Sequence, residues 1–242
     1  AKHIKVGVIN GAEQDVAEVA KKVAKEKYGL DVELVTFNDY VLPNEALSKG
    51  DIDVNAFQHK PYLDQQIKDR GYKLVAVGNT FVYPIAGYSK KIKSLDELQP
   101  GSQIAVPNDP TNLGRSLLLL QQVGLIKLKD GVGLLPTSLD IVENPKNLKI
   151  VELEAPQLPR SLDDAQIALA VINTTYASQI GLTPAKDGIF VEGKESPYVN
   201  LIVAREDNKD AENVKKFVQA YQSDEVYEAA NKIFNGGAVK GW

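Results

Sequence analysis

Two stretches of the chain run through the same series of elements, and that repetition narrows the fold more than any single motif. In the first, HIKVGVIN (3–10) reads as a strand. GAEQDVAEVAKKVAKEKYG (11–29) reads as a helix, with Val16, Val19, Ala20, Val23 and Ala24 at helical spacing and Gly29 as its stop. LDVELVTF (30–37) alternates as a strand. LPNEALSKG (42–50) is a helix with its start at Asn44 and its stop at Gly50, and DIDVNAF (51–57) is again a strand. In the second stretch, SQIAVPN (102–108), TNLGRSLLLLQQVGL (111–125), NLKIVELEA (147–155), PRSLDDAQ (159–166) and IALAVIN (167–173) read as strand, helix, strand, short helix and strand. A β-α-β-α-β order met twice predicts an α/β protein of two doubly wound lobes. The third strands share a local plan as well. KGDIDVNAFQHKPYLDQ and LDDAQIALAVINTTYASQ both run from an acidic turn through an apolar strand to a polar tip and a tyrosine.

Two β-rich segments belong to neither interior. GNTFVYPIAGYSKK (78–91) leaves the first stretch and enters the second, and ESPYVNLIVARED (195–207) leads back out. Helical patterns at 208–224 and 224–237 follow, too few residues for a third domain, so this tail is expected to pack on the first lobe. The division expected is 1–83 plus 200–242 for lobe 1 and 84–199 for lobe 2. Two crossing strands between lobes make a hinge, and a ligand would sit in the cleft beside it.

Composition removes several function classes. A net charge of −4 and no long basic cluster argue against nucleic acid. The longest basic stretch, SKKIKS (89–94), reads as a solvated loop, and no run approaches the length of a membrane span. Cysteine is absent, so no disulfide, thiolate nucleophile or Cys-ligated metal is expected; His3 and His59 lack metal-site spacing. No cofactor and no metal are expected. Ser116 lacks a GxSxG setting, and Asp51/Asp53 and Asp163/Asp164 sit beside turns. DGVGLLP (130–136) lacks the strand–glycine–helix order of a dinucleotide loop. Nothing assembles a nucleophile, base and orienter, so the chain is not read as an enzyme. Methionine is absent even at position 1, which suggests that something N-terminal has been removed.

Ligands of open α/β sheets bind outside the carboxyl ends of the strands, so the strand tips hold the candidates. The tips of the first lobe are aromatic: Tyr40, Phe57, His59 and, just past a tip, Tyr62. Such rings suit an apolar or thioether side chain. The same residues can instead be core, with His59 capping a helix next to Pro61. The second set is polar: Asn112, Arg115 and Asn173, with Asn200 on the crossing strand. Asp109 is a good N-cap and Pro110 a good first helical residue, which places Asn112 and Arg115 on one face of the first turns. A helix N-terminus favours an anion, and an arginine fork binds a carboxylate. On this stretch alone an equal reading is a capped helix whose Arg115 reaches solvent or pairs with Asp109.

Taken together, HIKVGV, DIDVNAFQHKPYL, VPNDPTNLGRSLLLL, AVINTTYA and SPYVNLIV closely resemble the methionine-binding lipoproteins of the NlpA family, enterobacterial members above all. The likeness runs from about residue 3 to Trp242. These lipoproteins are the substrate-binding components of bacterial methionine ABC importers. The resemblance implies a type II periplasmic-binding-protein fold that closes on L-methionine and serves an ABC permease and its ATPase. It implies that Arg115, in the TNLGR motif, holds the ligand carboxylate, and that Asn173, Asn200 and Asn112 are polar contacts. Phe57, His59, Tyr62 and Tyr40 would line the side-chain pocket. A monomer in the periplasm is implied, membrane-bound only through an N-terminal lipid anchor. The sequence departs from the family there, since the lipobox and its acylated cysteine are absent before AKHIKV. D-methionine, a methionine-containing dipeptide, or a role as a surface interaction lipoprotein are the alternatives.

Overall fold

Apolar periodicity and glycine stops place most of the elements. In the computed structural model, which describes residues 2–193 and 196–242, the chain opens with β1 (His3–Ile9), α1 (Ala12–Tyr28), β2 (Asp31–Phe37), α2 (Leu42–Lys49), β3 (Val54–His59), α3 (Lys60–Arg70) and β4 (Leu74–Val82). Next come β5 (Ala86–Tyr88), β6 (Gln103–Pro107), α4 (Pro110–Gln122), β7 (Lys127–Leu128), β8 (Ile141–Glu143), β9 (Lys149–Leu153), α5 (Leu158–Ser161), β10 (Ile167–Ile172), α6 (Thr174–Gln179), α7 (Pro184–Asp187) and β11 (Phe190–Val191). The chain ends with β12 (Val199–Arg205), α8 (Glu212–Tyr221), α9 (Asp224–Ile233) and β13 (Val239–Lys240). Glu195, the first residue of the crossing segment 195–207, lies outside the described residues, as do Ala1 and Lys194.

Among the described residues the chain divides into two units. Pro84–Gly193 forms one, and the residues before and after it form the other. The sheet of the flanking unit has the order β13-β4-β12-β3-β1-β2. In it β1 runs parallel to both β2 and β3, and β12 runs antiparallel to β3 and β4. The inner unit has the order β11-β5-β10-β6-β9, with β6 parallel to β9 and β10, and β5 antiparallel to β10. Each unit therefore places one strand between two parallel neighbours, β1 between β2 and β3 and β6 between β9 and β10, and adds an antiparallel strand beyond β3 or β10. This is an α/β design used twice.

The core of the flanking unit follows the helix period. Val16, Ala17, Ala20, Val23 and Ala24 of α1 are buried against Ile4, Val6 and Val8 of β1, and α8 and α9 pack on the same helix. Gly29 ends α1 at φ 63, a left-handed conformation that costs glycine little. The inner unit is cored by Leu113, Leu117 and Leu120 of α4 against Ile104, Val106, Leu169 and Val171.

Three local expectations need correction. First, α2 begins at Leu42, not Asn44, because the Asp39 carboxylate accepts from Val41 N–H and Leu42 N–H at 2.9 and 3.0 Å. Asn44 is instead fully buried against Asn55 and Gln58. Second, 78–91 is not one extended run. It breaks between Val82 and Ala86, around Pro84, which cannot donate to a ladder. Third, α5 is a single turn that ends at Ser161.

Burial raises the pKa of the Tyr83, Tyr88 and Tyr221 hydroxyls above the ordinary phenol value of 10.0. Below that value folded and unfolded chains hold these protons alike. Above it the unfolded chain releases them first, so stability falls as pH rises. Melting temperature is expected to drop as pH rises above about 10, and Tyr221→Phe should lessen the drop. Equal melting temperatures across that range would remove this source of instability.

Candidate functional site

In the flanking unit, the buried strand β3 ends in the aromatic tip. Its pairing with β12 is irregular: Leu201 faces Gln58 and Val203 faces Asn55, two steps on β12 against three on β3. A bulge of this kind breaks the simple alternation of side chains. Gln58 and Asn55 consequently meet, with Gln58 Nε2 donating to Asn55 Oδ1 at 3.0 Å. Asn44 completes this buried network, accepting from Asn55 Nδ2 at 2.9 Å and Gln58 Nε2 at 2.8 Å. The network ties α2 to β3 beneath the rings.

The four expected rings do come together. Tyr40 lies 5.9 Å from Phe57 and 5.8 Å from Tyr62 between centroids, and Phe57 and Tyr62 meet edge-on at 6.0 Å. Tyr62 donates its hydroxyl to the Tyr40 carbonyl at 2.8 Å, which holds the 38–41 turn against α3. His59 meets Tyr62 edge-on at 6.2 Å, and its Nδ1 accepts from Tyr62 N–H at 3.1 Å, so it also caps α3. The capping reading of His59 and its place in the ring cluster are therefore one arrangement. Phe57 and Tyr62 are buried, as core residues would be. A fifth ring was missed by sequence reasoning: Tyr198, buried, lies 5.0 Å from His59. Its signal was present in SPYVN, two positions before Asn200.

Asn200 belongs to this unit rather than to the polar set of the other. It pairs with His59 across the β12–β3 ladder. Its Nδ2 donates to Oε1 of Glu13 at 3.4 Å, a buried carboxylate in the first turn of α1, where the helix N-terminus favours negative charge.

The inner unit holds the polar set. β6 runs out at Pro107, and Asp109 caps α4 in extended conformation with its carboxylate accepting from Asn112 N–H at 3.2 Å. The same carboxylate takes Asn112 Nδ2 at 3.0 Å. Asn112 then presents Oδ1 to Asn173 Nδ2 at 3.2 Å. Asn173 stands at the start of α6 without making a side-chain cap. Its Oδ1 is buried and meets no hydrogen-bond partner. Each link has a direction. Ionised Asp109 can only accept, so Asn112 turns its amide nitrogen to it, and Asn173, which gives its own amide nitrogen to Asn112, keeps its carbonyl oxygen as an acceptor. Burial raises the pKa of Asp109, opposed by the bonds from Asn112 and Thr111.

Arg115 lies on the face of α4 that carries Asn112 and is only 4% exposed. It neither reaches solvent nor pairs with Asp109. Nε donates to Glu192 Oε2 at 3.0 Å and Nη2 to Oε1 at 2.7 Å, a bidentate buried pair. Glu192 follows β11 and is 77 residues away in sequence. No local pattern could have announced it. Chemically, this unit offers a held guanidinium and one oriented amide acceptor, and the flanking unit offers a ring cluster and a second held amide. Among the described residues no group of three His, Cys, Asp or Glu side chains could hold a metal.

This fold is that of periplasmic substrate-binding proteins. The chain belongs to the NlpA lipoprotein family, whose profile matches residues 4–242. It is 94% identical over 240 residues to the D-methionine-binding lipoprotein MetQ of Escherichia coli K12, covering 99% of this chain and 89% of the relative. A crystal structure of the methionine binding protein MetQ superposes with a TM-score of 0.99 at 94% identity, covering 100% of this chain and 98% of the other. A nutrient binding protein from Burkholderia cenocepacia bound to methionine superposes at 0.95 and 55% identity, covering 99% of this chain and all of the other. These relatives are described as binding proteins, not enzymes.

Proposed function

We propose that this chain captures L-methionine as the substrate-binding component of a bacterial ABC importer. The observation that carries the reading is the buried polar set of the inner unit. A buried guanidinium and, in the same unit, a buried amide oxygen without a hydrogen bond suit the carboxylate and ammonium of an amino acid, and a relative bound to methionine supports the rest. Arg115 takes the carboxylate, Asn173 with Asn112 behind it takes the ammonium, and Asn200 adds a second amide. Tyr40, Phe57, His59 and Tyr62 receive the thioether, each sulfur–ring contact adding about 0.3–1.5 kcal/mol. The unit of Pro84–Gly193 and the flanking unit close over the ligand, and the closed form docks on the permease and its ATPase. The protein works as a monomer in the periplasm, tethered by a lipid anchor.

Titration calorimetry tests this. L-methionine is expected to bind and to raise the melting temperature. Norleucine, with a methylene in place of sulfur, should bind more weakly by about 1 kcal/mol. No stabilisation by any amino acid would overturn the reading and favour a surface interaction lipoprotein. The relative named for D-methionine motivates the second arm: comparable heats with both enantiomers would make the protein a carrier of either.

A further inference from the structure

We infer that Glu192 sets the ligand choice of this site, by cancelling the charge of Arg115 so that the buried pair admits a zwitterion and rejects a simple carboxylate. The inference rests on the methionine-site reading above.

A buried guanidinium with no counter-ion would be a receptor for any organic anion of the right length. Here Glu192 engages two of its N–H groups, with both side chains largely buried, at 4% and 11% exposure. The pair is neutral as a whole. A carboxylate without a cation of its own would bring an uncompensated negative charge into this environment, where such charge is costly. Asp109 adds a further carboxylate to the same polar set, offset in part by the α4 N-terminus it caps. The set therefore leans negative. An α-amino acid carries its own positive charge, and an acceptor for it is present: Asn173 Oδ1, buried and without a hydrogen bond, left as an acceptor because Asn173 gives its amide nitrogen to the Asp109–Asn112–Asn173 series. Glu192 is itself held, its N–H donating to the Ile85 carbonyl at 2.9 Å. It is a residue of the framework around β5 and β11, so its carboxylate reaches Arg115 from outside α4.

The test compares three ligands with one side chain: L-methionine, 4-(methylsulfanyl)butanoate, which lacks the ammonium, and L-methioninamide, which lacks the carboxylate. Calorimetry on the wild type should show methionine preferred over the butanoate by at least about 100-fold. In Glu192→Gln, which keeps the shape and removes the charge, that preference should narrow by at least about tenfold, while the cationic amide should bind more weakly than to wild type. Glu192→Asp, which keeps the charge, should retain most of the wild-type preference. An unchanged preference in Glu192→Gln, or an equal loss in Glu192→Asp, would overturn the proposal. If Glu192→Gln does not fold, the wild type still decides, since a butanoate bound within tenfold of methionine would also overturn it. A wild type that binds no methionine at all would instead remove the reading on which the proposal rests.

Discussion

Replacing Arg115 by alanine is expected to lower methionine affinity by at least about two orders of magnitude, because truncating one side of a buried charge-assisted contact costs about 2–5 kcal/mol. The same substitution should destabilise the protein without ligand. It removes the bidentate partner of the Glu192 carboxylate in a nearly dry setting. Breaking a buried pair from one side costs about 3–5 kcal/mol, more than the intact pair contributes. The two effects separate in a second variant. Arg115→Ala with Glu192→Gln should recover most of the melting temperature, since a neutral amide is cheaper to bury, and should recover none of the binding. Calorimetry and thermal melts on the three proteins check this. Wild-type affinity in Arg115→Ala would sink the carboxylate assignment; no recovery of stability in the double variant would show that Arg115 stabilises the fold by packing, not by charge.

Gly114→Ala is the second large effect, and its sign reverses the usual rule. Alanine in a helix interior normally gains about 1 kcal/mol over glycine. At Gly114 an added Cβ would lie 2.3 Å from the Leu134 carbonyl oxygen and 3.1 Å from the Leu134 carbonyl carbon and Pro136 Cδ. The nearest atoms are backbone, which has no rotamer to change, so either α4 or the 134–136 loop must move. The expected cost is about 3 kcal/mol, a fall in melting temperature on the order of 10 °C. Because Arg115 is the next residue, movement of α4 should also weaken methionine binding in whatever fraction remains folded. A Gly114→Ala protein that melts with the wild type would show that the loop yields at no cost.

The stretch VPNDPTNLGRSLLLL shows how far local chemistry reaches. Asp109 as N-cap, Pro110 as first residue and the shared face of Asn112 and Arg115 all follow from residue type and helix period, and all are present. Nothing in its sequence neighbours accounts for Gly114, a weak helix residue, and only the approach of the Leu134 carbonyl explains it. Arg115 had two local partners to choose between, solvent and Asp109, and took neither. On the aromatic side, Tyr40, Phe57, His59 and Tyr62 could be named because they cluster near strand tips, whereas Tyr198 joins them only through the pairing of β12 with β3. Asn44 illustrates a local rule overridden: a good helix-start residue became a buried network residue because Asp39 had already satisfied the helix's first N–H groups.

What the sequence determined alone is the set of elements and the tips where chemistry could sit. Hydrophobic period, glycine stops and caps act over a few residues, so they can be read without knowing what lies across the fold. Only the tertiary structure decided which charge meets which. The Arg115–Glu192 pair, the bulged pairing of β3 with β12, and the Asn112–Asn173 bond that leaves the Asn173 oxygen as an acceptor each join segments far apart in the chain. Burial raises the cost of an unmet polar group to several times that of an exposed one, and so selects partners by proximity in space. That selection has no period along the chain.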